Sequence, residues 1–569
     1  MPTAAALQQA LRSVRASFGA AAESDKRRLL TALADRRLPR TGTLVAYHED
    51  LLFVVAFPGS MDVRNAALDE LRAFGARVRA LGAAQRAALS GTGLAGTVSR
   101  YGAAHPIAEA LVDDDPRAIE LDWSNVDDPV RLDELIAQVL TEVERESFGV
   151  DMPSRRWVDA ARRADAVSTL QWLLRAAAGA PPAVRKGFGA AWDQTEVPVR
   201  WKLGESKRAV THNRIELPQP VLRTGFRKLD EPLVRRIERP LGPIRRLGRE
   251  PALRVIDVAR SALAARCREV HAMNYANPDE VHLAELGEGV QLAVIGVLTS
   301  HRLLLEANYG YVLLANGVPV GYGGVSPLFR QANTGINVFD PFRGSEATFL
   351  WAQTLRAFRT LFGVRRFIVN GYQFGAGNAE AISSGAYWFY YRLGFRPSSA
   401  ENRALAEAED ARLRRDGGRS SPATLRRLAT GDLHLDLSDW DPVDAFEESA
   451  LDHVGTVLAR RLADVPVWSR SEAARALARE VEAACAARPA RWPRAERAAF
   501  ERLAPLAALL PALPAWSSAE RRSLGALLRA KGGTGERDFA QQATACPRFY
   551  RELASVLLGS ARPAGRAAR

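Results

Sequence analysis

The chain has 569 residues, more than one hydrophobic core usually serves, so length alone predicts about three domains. An apolar share of 47% with a charged share of 25% is that of an ordinary globular protein and excludes a disordered chain. Lysine and arginine outnumber aspartate and glutamate by 78 to 65, a net charge of +13, which suits nucleic acid, an anionic cofactor or a membrane surface, and equally an arginine-rich solvated exterior.

The three cysteines, Cys267, Cys485 and Cys546, are far apart and lack metal-ligand spacing, so a reducing compartment, no disulfide framework and no metal are expected. The N-terminus lacks the charged flank and apolar core of a secretory signal. The most apolar stretches, 292–298 and 503–516, are too short or too proline-interrupted to cross a bilayer. The expectation is a soluble cytoplasmic protein without a membrane partner.

In chain order, residues 1–40 read as helix, and 43–47 with 51–57 as a hairpin turning at His48, Glu49 and Asp50. Stretches 64–88 and 131–148 carry helical spacing, with a strand candidate at 118–123 between them, so 1–190 forms a helical or α+β region. Prolines at 198, 218, 220, 232, 240 and 243 make 191–250 a linker. Its part 221–250 has nine basic residues against four acids, a possible contact for RNA or phosphate, or a solvated arm.

Residues 253–273 fit a helix, and 290–297, 303–307 and 309–315 fit strands. Asn316-Gly317 is the strongest short hairpin signal, after which 318–325 returns antiparallel. A strand at 335–339 runs through Asp340-Pro341-Phe342-Arg343-Gly344 into a helix at 345–362. Its apolar stripe is Ala347, Trp351, Leu355, Phe358 and Phe362. A strand at 366–369, a glycine-rich turn at 372–377 and a helix at 386–393 follow, giving the order β-β-β-α-β-α over 251–400. Residues 401–430 read as a charged mobile linker, and 431–569 as a helical domain with helices at 445–462, 471–487, 494–510 and 517–530 and a frayed end. The predicted class is multidomain α+β, a central mixed sheet with an N-terminal α+β region and a C-terminal all-helical region.

A strand, a tight turn and a helix N-terminus can hold a phosphate, because the first helical amides have no internal partners and the dipole favours an anion. Residues 342–347 are that turn, and 370–378 is the loop of the neighbouring parallel strand. If the two strands part, their exposed main-chain groups can pair with an extended amide-bearing ligand.

The stretch from Asn316 to Phe395 resembles the acetyl-CoA-binding half of the GNAT (Gcn5-related N-acetyltransferase) acyltransferases. The likeness rests on 338–348, Val-Phe-Asp-Pro-Phe-Arg-Gly-Ser-Glu-Ala-Thr, and on Asn378, Ala381 and Tyr390-Tyr391-Arg392-Leu393-Gly394-Phe395. The resemblance implies an N-acyltransferase that moves an acyl group from acetyl-CoA or another acyl-CoA to an amine. It further implies that Val338, Arg343, Gly344, Ser345, Glu346 and Ala347 hold the cofactor, that Asn378 binds the pantetheine arm, and that Tyr390 protonates the leaving thiolate. Glu306, placed on a central strand, Asp340 and Glu346 are the candidates for a base.

Two departures from the family pattern matter. Glu346 stands where the family has glycine and Thr348 where it has glycine or alanine, and a carboxylate at 346 would repel a pyrophosphate by about 1 to 3 kcal/mol per charge pair. Ser383-Ser384-Gly385 lengthens the segment before Tyr390 by about one helical turn. Tyr372, Gln373, Ser383, Ser384 and Tyr387 thereby join the polar candidates. Two alternatives remain open: a GNAT-like transferase with a non-CoA donor such as aminoacyl-tRNA, and a non-catalytic GNAT-like scaffold for a protein partner.

Overall fold

The run 41–57 combines two apolar stretches with His48, Glu49 and Asp50 between them, and in the computed structural model it is one helix, Thr41–Ala56, rather than a hairpin. The three polar residues are the reason. Asp50 is fully buried and accepts from Gln8 Nε2 at 2.7 Å and Arg15 Nη1 at 2.6 Å, while Glu49 accepts from Arg12 at 2.7 Å. Partners on a neighbouring helix, Ala4–Val14, make a buried helix the better use of a segment whose periodicity alone does not separate helix from strand. The structure describes residues 2–38, 40–150, 152–162 and 166–561. The frayed end expected at the C-terminus lies in 562–569, outside the described residues.

Thirteen strands occur among the described residues: β1 Val98–Gly102, β2 Ile119–Leu121, β3 Pro198–Lys202, β4 Ile244–Arg246, β5 Ala276–Gly287, β6 Val290–Val297, β7 Tyr309–Ala315, β8 Val318–Leu328, β9 Gln331–Thr334, β10 Asn337–Val338, β11 Arg366–Val369, β12 Arg396–Pro397 and β13 Leu433–Asp436. The first three form a small antiparallel sheet with β3 in the middle. The others form the central mixed sheet, ordered β12-β13-β11-β9-β8-β7-β6-β5-β4, with β10 also on β8. Its neighbours are antiparallel except β9 and β11, the parallel pair.

The two segments expected as linkers are built into this architecture. From 191–250 come β3, the centre of the small sheet, and β4, the edge of the large one. Residues 401–430 are mostly the helices Ala400–Asp416 and Pro422–Leu428, which lead into β13, inserted between β11 and β12. Prolines limit regular structure locally, but at strand ends and sheet edges they are tolerated. Three further expectations are corrected. Residues 303–307 hold no strand, the expected strand at 335–339 is confined to β10, and the expected helix at 253–273 is divided into Arg249–Ala264 and His271–Asn274.

Asn316 and Gly317 turn β7 into β8 with φ of 45° and 80°, both in the left-handed region that a two-residue hairpin requires. The turn is also a joint. Asn316 Nδ2 donates to the Ala56 carbonyl at 2.9 Å and its Oδ1 accepts from the Val221 amide at 2.7 Å, tying the N-terminal helices and the proline-rich segment to the sheet.

The Ala347–Phe362 helix follows β10 and returns the chain to β11. Phe349, Leu350, Trp351, Leu355, Phe358, Leu361 and Phe362 are all buried, together worth at most about 10 to 20 kcal/mol of apolar transfer. Burial extends beyond one stripe because the Leu233–Glu238 helix and the C-terminal Arg537–Thr544 helix also pack on it; Gln541 Nε2 donates to the Leu361 carbonyl at 2.9 Å.

Those C-terminal helices, from Val454–Ala463 to Pro547–Ala561, dock on the sheet through buried charge. Glu280 of β5 accepts from Tyr309 Oη at 2.5 Å and from the amides of Glu536 and Arg537 at 2.5 and 2.9 Å. Lys531 pairs with Glu536 and donates to the Glu306 carbonyl at 2.7 Å, and Arg302 donates to the carbonyls of Lys531 and Gly533. Such a network is satisfied only when both sides are in place.

Candidate functional site

The parallel pairing of β9 and β11 runs from Arg366 opposite Gln331 to Ile368 opposite Asn333 and then stops. Beyond it β9 ends at Thr334, and β10 resumes against β8 two residues later, so the two strands part at Gly335 and Ile336. Main-chain groups at that parting are freed from the ladder between β9 and β11, which is what an extended ligand needs.

Side chains converge on the parting. Tyr311 Oη donates to the Gly335 carbonyl at 2.6 Å, and the Ile336 amide donates to Tyr390 Oη at 3.4 Å. Gln373, from the turn Gly371–Phe374 after β11, lies so close that a Cβ on Gly335 would fall 2.6 Å from its Oε1. Tyr390 comes from the Ala386–Arg392 helix, its ring packed among Trp351, Phe374 and Phe395. Burial pushes its hydroxyl up to about 12, partly offset by the Ile336 N–H.

The turn before the Ala347–Phe362 helix lies immediately downstream. Val338 closes β10, Asp340 opens a single helical turn, Asp340–Phe342, and Gly344 has a φ of 84° with open space around it. Ser345 Oγ donates to the Phe342 carbonyl at 2.7 Å. Arg343 is held by Asp340 at 2.8 Å and Glu380 at 2.5 Å, and that bond keeps the Glu380 carboxyl below the usual carboxylate range. Helix residues Ala347 onward have no side-chain N-cap, so their first amides are left for another acceptor.

Glu346 does not face this turn. Its Oε2 accepts from Arg223 Nη2 at 2.6 Å and from the Arg227 amide at 3.0 Å, and both side chains of the ion pair are essentially fully buried. Arg223 belongs to the basic segment expected to be a linker, and its guanidinium also faces the rings of Phe57 and Phe226. The carboxylate that looks repulsive in the sequence is therefore directed inward and neutralised by a cation more than a hundred residues upstream.

Asn378 caps the Ala379–Ser384 helix, its Oδ1 accepting from the Ala381 amide at 3.0 Å and its Nδ2 donating to the Tyr372 carbonyl at 3.1 Å. Glu306 is corrected in place: it lies in the loop before β7, its carboxyl raised by burial and by Glu448, close to Lys531 and Glu536 of the C-terminal region. Glu448 itself was not singled out from the sequence. It accepts from Asn333 Nδ2 at 2.7 Å, at the last parallel pair before the parting, and burial raises its carboxyl. Only the fold brings it there, from over a hundred residues downstream.

Among the described residues no group of three or more His, Cys, Asp and Glu side chains is arranged to hold a metal, and no helix is long and apolar enough to cross a membrane. No family model, no curated protein and no solved structure matches the chain.

Proposed function

We propose that the chain is an N-acyltransferase of GNAT type, with acetyl-CoA or another acyl-CoA as donor and an amine as acceptor. The observation that carries this reading is the parting of β9 and β11 at Gly335 and Ile336 with the Tyr390 hydroxyl at the freed Ile336 amide. An acyl thioester entering the parting would take over the bonds that Tyr311 and Tyr390 now make to Gly335 and Ile336, and its sulfur would meet Tyr390. The amine attacks the thioester carbonyl, the C–S bond breaks, and the departing thiolate is stabilised by the tyrosine. Because burial holds Tyr390 near 12 while a free thiol lies near 8.5, the hydroxyl shares its proton in a hydrogen bond rather than surrendering it.

Two features of the turn support a phosphate-bearing donor. The inward Glu346 removes the expected repulsion, and the uncapped helix with exposed Arg343 offers amides and a guanidinium. The surface ion pairs of Arg343 are worth only about 0 to 1 kcal/mol each and yield readily to a phosphate. Glu448, bonded to Asn333 at the last parallel pair, and Asp340, at the start of the turn, are carboxylates beside these two elements, and either serves as base for the amine.

A donor without a pyrophosphate, such as aminoacyl-tRNA, is favoured by the two carboxylates already on Arg343 and by the net charge of +13. Thermal shift with acetyl-CoA separates the two. A ligand at 100 times its dissociation constant stabilises by about 2.7 kcal/mol, so the absence of any shift at millimolar acetyl-CoA rejects the CoA donor. Salt-sensitive binding of tRNA in the same preparation then supports the alternative, and binding of neither leaves a scaffold for a protein partner. Tyr390→Phe should bind acetyl-CoA as the parent does and lose acyl transfer.

A further inference from the structure

A cleft of ≈ 240 Å³ lies between the N-terminal helix Thr41–Ala56 and the start of the central domain. Arg266, Arg268, His48, Glu49, Phe339 and Asp340 are among its lining residues. Its two carboxylates are each engaged by an arginine from outside the cleft. Glu49 is already paired with Arg12 at 2.7 Å and Asp340 with Arg343 at 2.8 Å. His48 is buried, bonded to Thr211 Oγ1 at 3.0 Å, and held neutral by burial and by Arg266, which push it down to about 3. Arg268 reaches Tyr322 Oη at 3.3 Å and the exposed Glu380 at 3.3 Å.

Arg266 has no such partner. Its Nη1 donates to the Ala262 carbonyl at 2.7 Å and its guanidinium stacks over Phe339, 4.0 Å from the ring centroid. Among the described residues no carboxylate forms an ion pair with it, although a guanidinium carries five N–H donors in a fork suited to an oxyanion. Burial and the neighbouring Arg268 press it down to about 10, far below the usual arginine value. Tyr322, Asp340 and Glu49 offset part of this from a distance, but none forms an ion pair with Arg266 among the described residues, and a largely buried cation without a direct partner is costly to the fold.

We propose that this cleft binds a small oxyanion, a carboxylate- or phosphate-bearing molecule, through Arg266 with Arg268 as the second cation. The volume is below that of a drug-sized site, which fits a compact anion. Phe339 holds the Arg266 plane in position from one side, so the fork is pre-organised. The cleft adjoins the Asp340 turn and shares Asp340 with it, and Arg268 and Arg343 both pair with Glu380, but the proposal uses neither Tyr390 nor Gly335, so loss of anion binding in Arg266→Met is read separately from acyl transfer.

The test is titration of the full chain with inorganic phosphate and, separately, with succinate at constant ionic strength set by potassium chloride, followed by calorimetry and thermal shift. One-to-one saturable binding of either anion is expected, and which of the two binds identifies the chemistry. Arg266→Met should weaken that binding roughly tenfold or more, as loss of a charge-assisted bidentate contact does. The same variant without ligand should be at least as stable as the parent, because an uncompensated charge is removed. Arg266→Lys, which keeps the charge but not the fork, should fold and bind with intermediate affinity. Equal binding by parent and Arg266→Met, a response to chloride as large as to either anion, or no binding of either anion overturns the proposal.

Discussion

Replacing Glu346 by glycine, the residue that the GNAT pattern has at this position, tests whether Glu346 is a defect of a phosphate turn or a structural anchor. In the structure the carboxylate is buried, 2.6 Å from Arg223 and 3.0 Å from the Arg227 amide, and the guanidinium it neutralises is equally buried. Glycine removes two charge-assisted hydrogen bonds and leaves the Arg223 guanidinium, among the described residues, with the carbonyls of Gly225 and Glu288 as its hydrogen-bond acceptors. Breaking a buried pair from one side costs about 3 to 5 kcal/mol. At roughly 2 to 4 °C per kcal/mol for a unit of 150–250 residues, the melting temperature should fall by about 6 °C or more. Acetyl-CoA affinity should not rise. The paired replacement Glu346→Leu with Arg223→Met should recover most of the loss, since swapping both ions for apolar groups is often neutral or stabilising, although the Gly225 and Glu288 carbonyls lose their donor. Calorimetric melting of the parent, Glu346→Leu, Arg223→Met and their double forms a double-mutant cycle, and acetyl-CoA titration compares the parent with Glu346→Gly. If Glu346→Gly melts with the parent and gains acetyl-CoA affinity, the carboxylate belongs to the ligand turn and the anchoring argument fails.

Other consequences follow from buried charge and from backbone geometry. The Glu280 carboxyl is pushed up to about 7 by burial, against 4.5 when unfolded, so the folded chain holds a proton that the unfolded chain has released between those values. Its contribution to stability therefore falls as pH rises from 4.5 through 7, by roughly 3 kcal/mol in all. Urea unfolding at pH 5 and pH 7 should show a smaller difference in Glu280→Gln than in the parent, and an unchanged difference would count against the assignment. Lys531→Met strands Glu536 in the interface and should destabilise by about 3 to 5 kcal/mol, read as a lower urea midpoint. Gly317→Ala would place a Cβ 1.9 Å from the Ile215 carbonyl at a φ of 80°, whereas Gly344→Ala at 84° meets open space. The first should abolish soluble expression or lower the melting point severely, and the second should cost only about 1 to 2 kcal/mol of left-handed strain.

How much of this was legible before the fold was known depends on how local each signal is. Arg366–Val369, the Asn316-Gly317 hairpin and the Ala347–Phe362 helix were readable because turn chemistry, strand composition and helical spacing act within a few residues. The Thr41–Ala56 helix was misread as a hairpin because what fixes it, Gln8, Arg12 and Arg15 on Asp50 and Glu49, lies more than thirty residues away. The same distance hid the meaning of Glu346. In the sequence it is a carboxylate in a phosphate turn; in the fold its neighbour is Arg223, and the turn is relieved of the charge. Tyr390 was placed on its helix and β11 on its strand by local pattern, but β9 was not expected and the strand expected at 335–339 is confined to β10; Glu448 at the same parting, and Arg266 and Arg268 in the cleft beside Thr41–Ala56, carry no motif at all. Charge in this chain is thus informative only in pairs. An arginine or glutamate whose partner is supplied by the fold is an anchor, as Arg223 and Glu346 are, and one whose partner is missing, as at Arg266, is where a ligand should be sought.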